Sequence, residues 1–383
     1  MFLFKEGSRN AMNNERQERK FRKNFKRVFR VRLPHMDTVD EVMRVLEETE
    51  LEKLKQELIR TLLEKKVFRR QRFLGKYYQI VIDGTHTCTV EEGHCPHCLH
   101  KTYENGTTWY FHNVLEAKLV FAKGFCISIG SQWIENETGY EKQDCELKAW
   151  NRLAERLKEA FPHLSLCIQG DGLYPNETFF KICRQYLWEF IVTFKDGNLP
   201  TVWQDIAGLA KITHDQTRQE TRVQSKRTLE RSFRWFNGIA YASGTLHFFE
   251  CVETVEGEET TRFAWVSSLK ISWDNILQVA ETGRLRWMIE NEGFNIQKNE
   301  GYGLTHRYSR VSYLAMKNYY QCLQIAHLLN QLFEKSSWIQ EVLVGKMTLR
   351  HLWKKMLGQM RELKFKKEEI KRFLAKKVQI RFV

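Results

Sequence analysis

Tyr77-Tyr-Gln-Ile-Val-Ile-Asp83-Gly84-Thr85 and Leu164-Ser-Leu-Cys-Ile-Gln-Gly170-Asp171-Gly172 share one design, a short apolar run that ends in an acid and a glycine. β-Branched and aromatic residues suit a strand and Asp-Gly suits a turn, so each stretch predicts a strand meeting a loop. Strands are also expected at 114–121, 125–134 and 189–195. A helix is expected at 144–160, where Leu147, Trp150, Leu153, Ala154 and Leu157 form one stripe. Asn176, followed by Glu177, has the chemistry of an N-cap opening the next helix. Asp144 suits the start of the 144–160 helix, and Glu135 and Glu146 suit surface or capping positions. Helix crossovers between strands favour parallel neighbours, which would set Asp83 and Asp171 side by side at one end of the sheet. Two converging carboxylates repel unless a divalent cation sits between them. Either Asp-Gly alone would be ordinary turn chemistry; the pair is what carries information.

Outward from this core, 383 residues of which 42% are apolar can bury the interior of two or three domains. Residues 1–76 read as a basic helical DNA-binding region, with Val42, Val45, Leu46, Leu51, Leu54, Leu58, Leu62 and Leu63 at helical spacing. Residues 77–212 form the first part of a catalytic domain, with a Cys/His loop at 86–112. Residues 213–272 read as a β-rich insertion, 273–335 as helical and closing the catalytic domain, and 336–383 as a basic helical arm. The fold class is therefore α/β, a mixed sheet flanked by helices, with helical regions at both ends.

The charge is uneven. Residues 16–32 carry +8 and 346–383 carry +10, against +14 for the whole chain, so the body is slightly acidic. Basic ends flanking such a body suit a protein that grips a polyanion, nucleic acid first, although solvated helix faces would look the same. No run of 18 apolar residues occurs, and Met1-Phe-Leu-Phe-Lys5 is too short for a signal-peptide core. Nine irregularly spaced cysteines then read as reduced thiols in a cytoplasmic protein.

Candidates for a third acid lie in Arg284-Leu-Arg286-Trp287-Met-Ile-Glu290-Asn291-Glu292. On an α-helix Arg286 and Glu290 share a face, at the spacing of an ordinary solvated ion pair, and Glu292 points elsewhere. Together, Ile82-Asp83-Gly84-Thr85, Gly170-Asp171-Gly172-Leu173-Tyr174 with Asn176, Lys195-Asp-Gly-Asn-Leu-Pro200, and Arg286-Trp287-Met-Ile-Glu290-Asn291 with Phe294-Asn295 and Lys298-Asn299 resemble the successive blocks of DDE-type insertion-sequence transposases. The resemblance runs from about residue 34 to 333. It implies an RNase H-like catalytic domain in which Asp83, Asp171 and Glu290 hold Mg²⁺ or Mn²⁺, interrupted by a β-rich insertion before the Glu. The 119 residues from Asp171 to Glu290 leave room for one. In a widespread form of the last block a Tyr and a Lys flank the Arg and Glu; here those positions hold Gly283 and Gln297, with Lys298 one residue late. DNA contacts are expected from Arg286 and Lys298.

The implied activity is metal-dependent cleavage and joining of double-stranded DNA at transposon ends and target. A homodimer on paired ends, in a bacterial cytoplasm at the nucleoid, goes with it. No Walker loop or complete GxGxxG is present, in keeping with transesterification that uses neither ATP nor NAD.

A second cluster comprises Cys88, His94, Cys95-Pro-His97-Cys98, His100 and His112. Cys-x-x-Cys is a zinc half-site, and Cys88 plus a histidine such as His112 would complete a structural Zn²⁺ site; an unmetallated reduced loop is the alternative. Such a site on a basic chain also suits a zinc-binding, sequence-specific DNA-binding regulator without catalysis. Trp235 and Trp265 in the insertion suit a small core, or stacking on a base displaced from DNA.

Overall fold

A computed structural model describes residues 1–90, 95–224, 227–255, 257, 259–345, 347–375 and 381–382. His94 therefore lies outside the described residues. The chain divides into two compact units, one of residues 60–85 and 113–292, the other of 1–59, 86–112 and 293–383.

The first unit is built on a mixed sheet flanked by helices. Its strands are β1 (Tyr78–Val90, as far as Thr85), β3 (Thr108–Phe121, from Asn113), β4 (Phe125–Ile134), β5 (Leu166–Gly170), β6 (Glu189–Thr193), β7 (Thr217–Gln224), β8 (Arg227–Tyr241), β9 (Gly244–Val255) and β10 (Thr261–Ser267), while β2 (Leu99–Thr102) belongs to the second unit. The order is β4-β3-β1-β5-β6-β10-β9-β8-β7. β1, β5 and β6 are mutually parallel, and the pairs from β6 outward to β7 are antiparallel. Helices α5 (Glu146–Ala160), α6 (Glu177–Tyr186), α7 (Pro200–Ile212) and α8 (Ile276–Arg284) connect and cover these strands. The α5 stripe of Trp150, Leu153, Ala154 and Leu157 is buried, as its spacing requires. Asn176 caps α6 through its side chain, which accepts from the Phe179 N–H at 3.0 Å.

Three local expectations are corrected. Asp83 does not end its strand: β1 continues to Val90, because Thr85, Thr87 and Thr89 sustain β geometry beyond Gly84. Asp144 does not cap α5, whose N-cap is Cys145 without a side-chain bond; the Asp144 carboxylate pairs with Arg152 at 2.5 Å. The strands of 213–272 do not stand apart as a small body, since β10 pairs with β6 through Trp265↔Thr193 and carries the central sheet outward.

The second unit gathers three segments distant in sequence. Its N-terminal helices are α1 (Arg9–Gln17), α2 (Arg19–Phe29), α3 (Met36–Val45) and the first part of α4 (Glu48–Glu64). Its C-terminal part holds α9 (Ile296–Asn299), α10 (Tyr313–Glu334), α11 (Ser337–Leu343), α12 (Leu349–Glu362) and α13 (Lys367–Ala375). The outer ends of β1 and β3 with β2 complete it. Met12, Phe21, Leu33 and Met36 from the N-terminal helices share a core with Met360 of α12. α10 is buried along most of its length, and the Asn318 amide nitrogen donates to Met43 O at 2.9 Å and Leu46 O at 2.8 Å.

Candidate functional site

The parallel pairing of β1 with β5 sets Tyr78 beside Leu166 and Val81 beside Gln169. Asp83 and Asp171 each lie two residues beyond that last pair, and the Asp171 charge acts on the Asp83 carboxyl. Asp171 follows β5 directly and its side chain turns back to accept the Leu173 N–H at 2.9 Å, an Asx turn that fixes the loop. Tyr174 is wholly buried under that loop, against Gly170, where a Cβ would lie 2.6 Å from its ring. Asn198 ties the exit of β6 to the same loop, donating to Gly172 O at 2.9 Å and accepting the Lys195 N–H at 2.8 Å. The blocks read from sequence as one signature are thus tied together around the end of β5.

Glu290 sits on a π-helical turn, Ile289–Asn295, that follows a break at Leu285–Arg286. Wide turns of this kind recur at functional sites. The break corrects the expected continuous helix, and Arg286 is directed to Asp83, its guanidinium 3.8 Å from the carboxylate. Burial pushes the Asp83 carboxyl up to about 7, reinforced by the negative charges of Glu146, Asp171 and Glu290 and opposed by Arg286. Asp83, Asp171 and Glu290 therefore share one electrostatic neighbourhood.

Glu146 is the member that sequence reasoning assigned elsewhere. At the start of α5, it accepts from the Tyr174 hydroxyl at 3.4 Å and from the Gly84 N–H. Burial, and then the charge of Asp171, raise its carboxyl above the ordinary value. A Cβ on Gly84 would lie 2.5 Å from the Glu146 carboxyl carbon, so the glycine of Asp83-Gly84 makes room for this second acid. The signal was available as Glu146 in the first helical turn after the third strand, but that position equally suits a solvated helix start.

Next to these acids lies a cleft of about 390 Å³ lined by Lys195, Arg262, Arg284, Arg286 and Trp287 among others. Arg262 is engaged with Glu250 and Asp196, and Arg284 with Glu253. Trp287 is 52% exposed at its rim. Trp235 and Trp265, in contrast, are 5% and 3% exposed within a core that includes Phe233, Phe249 and Ile276. Of the two readings, core and base stacking, this burial favours the core, and the Trp265 ring already stacks on Phe249 at 5.1 Å. Trp265 also explains Gly283: a Cβ there would lie 2.7 Å from the indole nitrogen, so a larger residue would displace the ring. Gln297 is fully buried and its amide donates to Gln324 at 2.8 Å, which accounts for a neutral residue at that position. Lys298 lies over Phe294, its ammonium 5.9 Å from the ring centre.

In the other unit, Cys95, Cys98 and His112 converge. The sulfurs lie 3.6 Å apart, and the His112 Nε2 is 3.5 Å from Cys95 and 3.3 Å from Cys98. A tetrahedral zinc with Zn–S of about 2.3 Å and Zn–N of about 2.0 Å requires edges of roughly 3.5–3.8 Å, so the spacing fits one ion. Among the described residues this is the one group of three such ligand atoms lying within 4.8 Å of one another. The Cys95 thiol is drawn down, most by the bond from Cys98 and then by His112. Cys88 is set apart: its sulfur meets Met316 Sδ at 3.6 Å, which corrects its expected place in the set. His97 and His112 both stack on Tyr313, at 5.3 and 4.4 Å, and His100 lies 6.0 Å from Tyr110.

No protein-family model matches the chain, and no curated protein matches it significantly. Among the described residues no helix is long and apolar enough to cross a membrane.

Proposed function

We propose that the chain is a DNA transposase of the DDE type, with an RNase H-like catalytic domain, cutting and joining strands at the ends of a mobile element. The observation that carries this is the crowding of Asp83, Asp171, Glu290 and Glu146 into one half-buried neighbourhood with Arg286. Such crowding is unfavourable for carboxylates alone, and hard divalent cations relieve it. Bound Mg²⁺ or Mn²⁺ would supply activation of water or a 3′-hydroxyl and stabilisation of the leaving oxygen. Asp83, Asp171 and Glu290 would hold the ions, Glu146 would crowd Asp83 from behind, and Arg286 would meet a phosphate at the cleft. Zn²⁺ on Cys95, Cys98 and His112 has a structural role in this reading. The substrate is double-stranded DNA, and the working form is a homodimer on paired ends.

Asp83→Asn, Asp171→Asn and Glu290→Gln are each expected to lower Mg²⁺-dependent cleavage of duplex carrying the element's ends by at least about a hundredfold, with DNA affinity retained. Cleavage retained in any one removes that residue from the site. Binding without cleavage in the unaltered protein favours a zinc-binding, sequence-specific regulator.

A further inference from the structure

The two basic arms, more than 300 residues apart in sequence, meet in one groove. Asn24, 1% exposed, fixes the join: its amide donates to Met360 O at 3.0 Å and Leu363 O at 2.7 Å, and its oxygen accepts the Phe365 N–H at 3.3 Å. Lys20 adds a bond to Glu362 O at 3.0 Å, and Arg361 pairs with Glu15. These contacts hold the turn between α12 and α13 against α2.

The resulting groove, about 690 Å³, is lined by Lys23, Lys26, Arg27 and Arg30 on one side and by Lys367, Ile370, Lys371 and Leu374 on the other. Both rows follow the spacing i, i+3, i+4, i+7: Lys23, Lys26 and Arg27 share one face of α2 with Arg30 at its C-cap, and the second row shares one face of α13. No acid lines it, and among the described residues none of the six cations forms an ion pair. Glu368 and Glu369 fall outside the lining set.

We propose that this composite groove binds the sugar–phosphate backbone of duplex DNA, as one site to which both ends of the chain contribute. The inference rests on the DNA reading above and specifies how the DNA is held. Unneutralised cations in two facing rows call for a polyanion. Single-strand binders stack bases on aromatic rings, and this lining contains none, which favours backbone over bases. Each row covers eight residues, a length of about 10 Å along the helix axis. That covers roughly three phosphates of one strand at about 3.4 Å of axis each. Contacts of this kind position a protein without reading sequence.

The test measures affinity of the full chain for a random-sequence duplex against salt, for the unaltered protein, Lys26→Glu with Arg27→Glu, Lys367→Glu with Lys371→Glu, and all four together. Each pair is expected to flatten the slope of log K against log [salt] by about 2, from roughly 0.9 per phosphate contact. In one shared groove, reversing either row repels the strand from the other, so the fourfold variant should lose little beyond each pair. Additive losses, or an unchanged slope in the Lys367/Lys371 variant, would overturn the composite site. Charge-conserving changes at the same four positions, Lys26→Arg, Arg27→Lys, Lys367→Arg and Lys371→Arg, should bind as the unaltered protein does, which separates lost charge from lost folding. A tighter grip on single strands than on duplex also overturns it. Unaltered protein that binds no duplex would sink both proposals, whereas lost cleavage with intact binding touches only the carboxylate site.

Discussion

Asp83 shows how one residue's chemistry is set by its neighbours. Unfolded, its carboxyl would titrate at the ordinary value of 3.8; folded, it holds its proton to about 7. The folded chain therefore carries more protons than the unfolded chain between these values, and stability without divalent metal should fall as pH rises from about 4 to about 7, then level off. Glu146 is the largest charged contributor to that shift, so Glu146→Gln should shrink the fall, read as Tm against pH in chelator. An identical profile in the variant would separate Glu146 from Asp83. Gly84→Ala tests the same contact from the other side. The new methyl meets only the flexible end of Glu146, so folding should change by less than about 1 kcal/mol while the pH profile moves as in Glu146→Gln.

At the scale of elements, the hairpin of β2 and β3 is where a metal would matter most. Cys95 and Cys98 precede and open β2, and His112 lies on β3, so one ion would tie a turn to a strand pair. Structural zinc contributes folding energy directly. Purified protein should carry close to one zinc per chain, and Cys95→Ser should lower both zinc content and Tm. Zinc-free protein prepared without chelator would refute the site. Cys88→Ser should leave zinc content unchanged, since its sulfur faces Met316. Zinc lost in Cys88→Ser would return Cys88 to the ligand set.

For the whole molecule, the second unit has a shared core of N- and C-terminal residues. Removing the C-terminal arm would take Met360 from that core along with the positive charge, so a deletion confounds folding with DNA binding. Substitution at the join is cleaner. Asn24→Ala removes both donors and the acceptor at a buried position, and should cost about 1–3 kcal/mol of stability. It should also weaken binding to random duplex although no charge changes, because α13 would no longer be held against α2. Affinity unchanged in a measurably destabilised variant would mean that the two rows act independently.

Read alone, the sequence determined the strands at β4, β5 and β6, the buried stripe of α5, the cap at Asn176 and the parallel pairing of the strands that lead to Asp83 and Asp171. Each follows from local periodicity, or from the parallel pairing that helix crossovers favour. It also marked Cys95, Cys98 and His112, because a zinc half-site is local in spacing. Tertiary structure decided what local pattern cannot carry. Glu146 looks like any acid in a first helical turn until Gly84 is found beneath it. Trp265 suits either a core or a base until β10 is paired with β6 and the ring is enclosed. The two basic arms look like separate charge runs until Asn24 bonds the far end of the chain. Burial and through-space partners depend on how distant segments pack, and neither leaves a periodic trace in the residues involved.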